Sequence, residues 1–223
     1  MGSQKPYEQK KNATEFWKRE ISGKVTSADL SPDDHHLALG FDSGLVHFIG
    51  PNGNLLWEAD TRQPIKSVKI LFARKKVAVL NEYSQVFLID YSGKLAHKKV
   101  YKIFWSSIER KSSDMVLWGW KGRPRRVDTK GRTVRQYAIP NPWMRVIPVP
   151  SKEQFWVVHN QICMGLYQAD GTNLWMVNHP CPIELSRARP SEFAVSDKGD
   201  VFAVSSFNHG VYLYNGIDKT LSQ

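Results

Sequence analysis

The chain has 223 residues, 41% apolar and 23% charged. That globular balance excludes a disordered polymer and leaves room for one large domain or two small ones. Two cysteines exclude a disulfide scaffold, and no apolar run approaches the roughly 18 residues of a membrane span. The net charge is +10, from 31 basic and 21 acidic residues.

The N-terminus carries charges throughout and has no apolar core of signal-peptide length. A myristoylation motif on Gly2 would need Ser or Thr where Pro6 stands. The expectation is a cytoplasmic protein with a flexible tail over residues 1–12.

From residue 13 a unit repeats. A glycine hairpin turn followed by an apolar segment recurs at Gly53, Gly93, Gly131, Gly171 and Gly216, spaced 40, 38, 40 and 45 residues apart. Glycine supplies the positive φ that such turns require. In the second unit Ile65–Leu71 reads as a strand, 73–76 as a charged turn and 77–80 as a second strand. Gln85–Asp90 is the third, and the fourth starts at Lys94. Val77-Ala78-Val79-Leu80, Val86-Phe87-Leu88-Ile89 and Phe155-Trp156-Val157-Val158 are unbroken apolar runs. A sheet with one wet face would alternate, so these strands are covered on both faces. The third unit fits at 103–108, 115–120, 125–128 and 133–137, although its third strand is almost all charged. A connector over 178–190 holds three prolines.

A period of about 40 residues with four short strands is the blade of a β-propeller. The prediction is an all-β, five-bladed β-propeller with four-stranded blades, occupying 13–216 as one domain. The fifth unit has strands near 192–196, 201–205 and 211–214 and then only a short tail, 217–223. Phe16-Trp17 precedes 24–31 as Leu56-Trp57 precedes Ile65–Leu71. Residues 13–20 are therefore predicted to close the ring as the last strand of the final blade. Trp17, Trp57 and Trp175 read as one structural position in three blades.

The turn Ser31-Pro32-Asp33-Asp34 before Leu37-Ala38-Leu39-Gly40 resembles the opening of a WD-repeat blade. The segment from Asp170-Gly171 to Leu174-Trp175 resembles the turn of quinoprotein repeats. The resemblance to this superfamily implies a rigid binding platform. Quinoprotein enzymes have more blades and an export signal, so their cofactor is not carried over, and fold alone does not assign function.

Charge is segregated. Residues 94–135 hold 13 Lys or Arg and three acids, Glu109, Asp114 and Asp128, while the rest of the chain has 18 of each. Lys121, Arg123, Arg125, Arg126, Lys130, Arg132 and Arg135 are the candidate partner-binding residues. Such a field attracts an acidic partner, and arginine pairs bidentately with carboxylate or phosphate. Trp118 and Trp120 lie just before the arginines, where aromatics could stack bases, but in a blade aromatics usually pack between neighbours. An acidic protein surface is thus expected ahead of RNA or DNA, and both ahead of anionic lipid. A small-molecule or glycan site between blades would repeat polar and aromatic residues at one position, and only the three tryptophans repeat.

Asp34-His35-His36 has the composition of a phosphoesterase tripeptide but lacks the companion aspartates of a two-metal site and reads as a polar turn. His159, His179 and Cys181, with Cys163 nearby, are donors of the kind zinc takes. Their spacing matches no standard pattern, and Cys163 reads as a small hydrophobe. No phosphate loop, Ser-His-Asp arrangement or spaced carboxylate pair emerges. The expectation is a non-enzymatic scaffold without metal or cofactor, one subunit of a larger complex. A propeller hydrolase is the last alternative.

Overall fold

A computed structural model describes residues 17–100, 107–111, 114–119, 122–139, 145–149, 151–159, 163–178, 193–196, 198–206, 210–215 and 220–222. They form five four-stranded antiparallel sheets arranged as the blades of a propeller. Blade 1 holds β1 (Val25–Leu30), β2 (Leu37–Phe41), β3 (Leu45–Ile49) and β4 (Leu55–Asp60). Blade 2 holds β5 (Ile65–Leu71), β6 (Lys76–Asn81), β7 (Gln85–Asp90) and β8 (Leu95–Val100). Blade 3 holds β9 (Ser107–Lys111), β10 (Asp114–Gly119), β11 (Gly122–Val127) and β12 (Thr133–Gln136). Blade 4 holds β13 (Arg145–Pro148), β14 (Gln154–Val158), β15 (Cys163–Gln168) and β16 (Asn173–Asn178). Blade 5 holds β17 (Phe193–Val195), β18 (Val201–Ser206), β19 (Gly210–Asn215) and β20 (Thr220–Ser222). A single 3-10 turn, Phe72–Arg74, is the only helical element among the described residues.

The unbroken apolar runs have a direct explanation. Successive side chains of one strand enter different seams. Val77 and Val79 of β6 pack toward blade 1, against Phe48 and Trp57. Ala78 and Leu80 of the same strand pack toward blade 3, against Met115 and Leu117. Likewise Phe155 and Val157 join the core with blade 3, while Trp156 and Val158 join the core with blade 5. Burying both faces of the inner strands replaces the single core of a sandwich with one core per seam.

The expected closure by residues 13–20 is corrected. The fourth strand of blade 5 is β20, drawn from the segment read as a tail, and it pairs with β19 as Leu213↔Ser222, Tyr214↔Leu221 and Asn215↔Thr220. An outermost strand bonds to one neighbour only, so three residues suffice. Residues 17–20 are not in a strand, and 1–16 lie outside the described residues.

Trp17 nevertheless sits where the sequence match implied. A Cβ on Gly53 would lie 2.8 Å from the Trp17 ring, one on Gly93 would lie 3.0 Å from Trp57, and one on Gly131 would lie 2.0 Å from His97. Each of these three hairpin glycines is thus roofed by a residue that precedes its blade, and Trp17 is the roof for blade 1. Arg19 reinforces it by donating from Nη1 to the Gly53 carbonyl at 3.0 Å.

Among the described residues, the seam between blades 5 and 1 differs from the other four. On the blade 1 side Leu39, Phe41 and Ile49 form a cluster with no described member from another blade. On blade 5, Val201, Val211 and Leu213, on the face turned from blade 4, stay 40–53% exposed. Less apolar burial means a lower local opening free energy. Amide exchange is therefore expected to release β18 and β19 before β6 and β7. Equal protection of the two blades would show that this seam is as tight as the rest.

Candidate functional site

The arginine-rich end of the basic segment, residues 122–135, forms the outer half of blade 3, with β11 between β10 and the edge strand β12. Arg123, Lys130, Arg132 and Arg135 are exposed, while Arg125 and Arg126 are half-buried. Lys121 lies outside the described residues. Cross-strand pairing sets Arg126 opposite Arg135 and Arg125 opposite Gln136. Two arginines side by side would repel, and carboxylates separate them. Arg126 Nε lies 2.8 Å from Asp114 Oδ2, and its Nη1 lies 3.5 Å from Glu153 Oε1. Arg135 Nη1 lies 3.1 Å from the other oxygen of Glu153. Arg132 Nη2 lies 2.7 Å from Asp128 Oδ2.

Three of the predicted partner-binding arginines are therefore already neutralised, two of them by a carboxylate from the β13–β14 turn of blade 4. Arg123 and Lys130 have no carboxylate partner among the described residues. Beneath this surface Tyr137 is fully buried, with the Arg135 guanidinium 5.5 Å from its ring centre. Burial, with the Glu153 charge, pushes its hydroxyl up to about 12, so it stays protonated.

Trp118 does not serve as a stacking platform. It is 6% exposed, inside the core shared by blades 3 and 4. Trp120 lies outside the described residues.

The hairpin that carries Lys130 and Arg132 is held by an aspartate at its first position. Asp128 Oδ1 accepts the Lys130 and Arg132 amides, both at 2.9 Å. Asp90 Oδ1 does the same for Ser92 and Lys94, and Asp170 Oδ1 accepts the Thr172 amide. The Ser92 hydroxyl and the turn amides hold Asp90 below the ordinary 3.8, and the Thr172 amide and hydroxyl do so for Asp170. For Asp128 burial pushes upward, but the two amides and the Arg132 guanidinium outweigh it. A carboxyl depressed by folding stabilises the fold above its unfolded pKa and loses that contribution as pH falls through its folded one. Stability is therefore expected to decline below about pH 4. The triple variant Asp90→Asn, Asp128→Asn, Asp170→Asn keeps acceptors in place and should flatten the decline in urea midpoints between pH 5 and pH 3. An unchanged slope would place the acid sensitivity elsewhere.

Of the zinc candidates, His159 and Cys163 lie among the described residues. His159 Nε2 is 2.7 Å from the Tyr167 hydroxyl, which also approaches Met176 Sδ at 3.3 Å. Cys163 is half-buried at the start of β15, and burial raises its thiol pKa. His179 and Cys181 lie outside the described residues. Among the described residues no three His, Cys, Asp or Glu side chains gather to hold a metal. The Asp34-His35-His36 turn is structural in its contacts: Asp34 takes a positive φ of 60°, and His36 stacks on Phe48 at 5.2 Å.

Sequence reasoning missed a polar seam along the innermost strands. β1, β5, β9 and β13 adjoin in that order. Ser27 Oγ accepts the Val68 amide at 3.0 Å, Asp29 Oδ2 accepts the Ile70 amide at 2.7 Å, and Ser67 Oγ donates to the Ile108 carbonyl at 3.2 Å. Lys69 Nζ lies 3.4 Å from Asp29 and 3.7 Å from Glu109, whose other oxygen lies 3.8 Å from Arg145 Nη2. Arg145 in turn lies 4.9 Å from the Phe193 ring centre. Charges alternate from blade to blade, so the chain of pairs ties blades 1 to 4 together. Its signal was present: Ser27, Ser67 and Ser107, and Asp29, Lys69 and Glu109, recur every 40 residues.

No helix among the described residues is long and apolar enough to cross a membrane. No protein-family model matches the chain, and a search of curated proteins finds no relative.

Proposed function

We propose that the chain is a non-enzymatic interaction module, a cytoplasmic subunit of a larger complex, that docks an acidic protein surface through the positive sector of blades 2 and 3. The WD-repeat-like turns fit a role as a rigid platform. The observation that carries the reading is that residues 94–135, which run from β8 through β12, account for the whole +10 net charge and leave Arg123 and Lys130 exposed. Such a field accelerates encounter with an acidic partner more than it tightens the final complex. RNA or DNA is less favoured because Trp118 is packed away and offers no face to a base.

Arg123→Glu with Lys130→Glu is the clean test. Both positions are exposed, so folding stability should move by only about 0.5 kcal/mol. Association with the native partner should slow and lose much of its salt dependence. Unchanged association would overturn the reading. Arg126→Glu is the contrasting variant, since it strands Asp114, which is 8% exposed, beside a second carboxylate. It should cost about 1–3 kcal/mol of stability and so cannot stand as a binding test.

A further inference from the structure

Each blade ends in an outer strand, but the outer strands are not alike. β4 carries Glu58 and Asp60, β16 carries no charge, and β12 has four residues. β8 is six residues long and combines cations with exposed aliphatic side chains. Leu95 and Val100, at its two ends, are 52% and 60% exposed. Lys98 is exposed, its ammonium 5.1 Å from the centre of the Phe87 ring. Lys99 donates from Nζ to the Gly131 carbonyl at 2.8 Å, and His97 packs against Gly131. Those contacts bring the blade 3 hairpin, with Lys130 and Arg132, against β8. Lys94, in the turn that leads into β8, is exposed as well.

We propose that β8 is a docking edge for an extended acidic segment of a partner protein, which adds to blade 2 as a fifth strand. This rests on the acidic-partner reading above and specifies its geometry. No described strand pairs with the outer side of β8, so its main chain offers a row of donors and acceptors. Carboxylates facing Lys94, Lys98 and Lys130 supply the charge match, and the aliphatic stems of the same glutamate side chains lie over Leu95 and Val100. The same lysines reject a second β8 edge by like-charge repulsion, so the edge discriminates an acidic strand from another copy of itself. The arginines of blade 3 that Asp114, Asp128 and Glu153 already hold contribute to the field rather than to contact.

The test uses the full chain and a ten-residue peptide alternating glutamate and valine, beside the same peptide N-methylated throughout. N-methylation keeps charge and removes main-chain donors. The unmodified peptide is expected to bind at least tenfold tighter, to slow amide exchange across Leu95–Val100, and to weaken at least tenfold toward Lys94→Glu/Lys98→Glu. Equal binding of both peptides would overturn strand addition while leaving the acidic-partner reading in place. Binding of neither peptide, with a uridine oligonucleotide binding instead, would overturn both.

Discussion

Replacing Trp156 by alanine is expected to cost about 3–5 kcal/mol of folding stability. The side chain is fully buried in β14, stacked on Phe202 at 4.5 Å with the planes 9° apart, and meets Trp175 edge-on at 5.4 Å. It is the hinge of the core between blades 4 and 5, and truncation opens a cavity that Tyr214, at 6.4 Å, cannot fill without moving its own strand. The effect should appear as a lower urea midpoint and as early exchange of blade 5, since this seam is the only described apolar core holding that blade. The repeat tryptophans should do less in proportion to their burial. Trp57 is 9% exposed and Trp17 is 37% exposed, so Trp57→Ala should fall between Trp156→Ala and Trp17→Ala. Equal loss at all three positions would show that seam burial is not what sets the cost.

Gly171→Ala is expected to destabilise by about 2–5 kcal/mol. The residue has φ +93°, and a Cβ there would lie 2.4 Å from the Ala138 carbonyl oxygen. The conformation alone costs an L residue roughly 1–2 kcal/mol, and forcing two packed backbones apart adds about 1–3 kcal/mol. Gly131→Ala shares the positive φ, but its obstacle is the His97 imidazole, which can rotate away. The difference between the two variants in chemical denaturation isolates the rigid contact. Indistinguishable midpoints would mean that the blade 4 hairpin can shift.

What the sequence disclosed, and what it hid, divides along physical lines. The blade count, the hairpin turns and the two-faced strands were legible because glycine at positive φ and unbroken apolar runs such as Val77–Leu80 admit few alternatives. Ring closure was misread at Trp17. The match with Trp57 was real, but it reports a ring packed on the glycine of the next hairpin, not hydrogen bonding to the last blade. β20 was missed because three residues carry no periodicity to detect. The charge run was legible along the chain, but the ion pairs of its arginines were not: Glu153, outside the charged segment, reaches across from blade 4 to hold Arg126 and Arg135. That pairing depends on contact between blades, which no local pattern encodes. The alternating Asp29, Lys69, Glu109 seam was encoded at the blade period, yet opposite charges at one repeat position look like variation until the strands are placed side by side.

The most direct measurement of the account is the rate of association between the purified chain and its purified, nuclease-treated partner across a series of salt concentrations. Positive charge confined to blades 2 and 3 predicts a rate that falls steeply with salt for the native chain and only weakly for Arg123→Glu/Lys130→Glu, the two converging at high salt. Superimposed curves would contradict it and reduce the charged sector to a solvated surface.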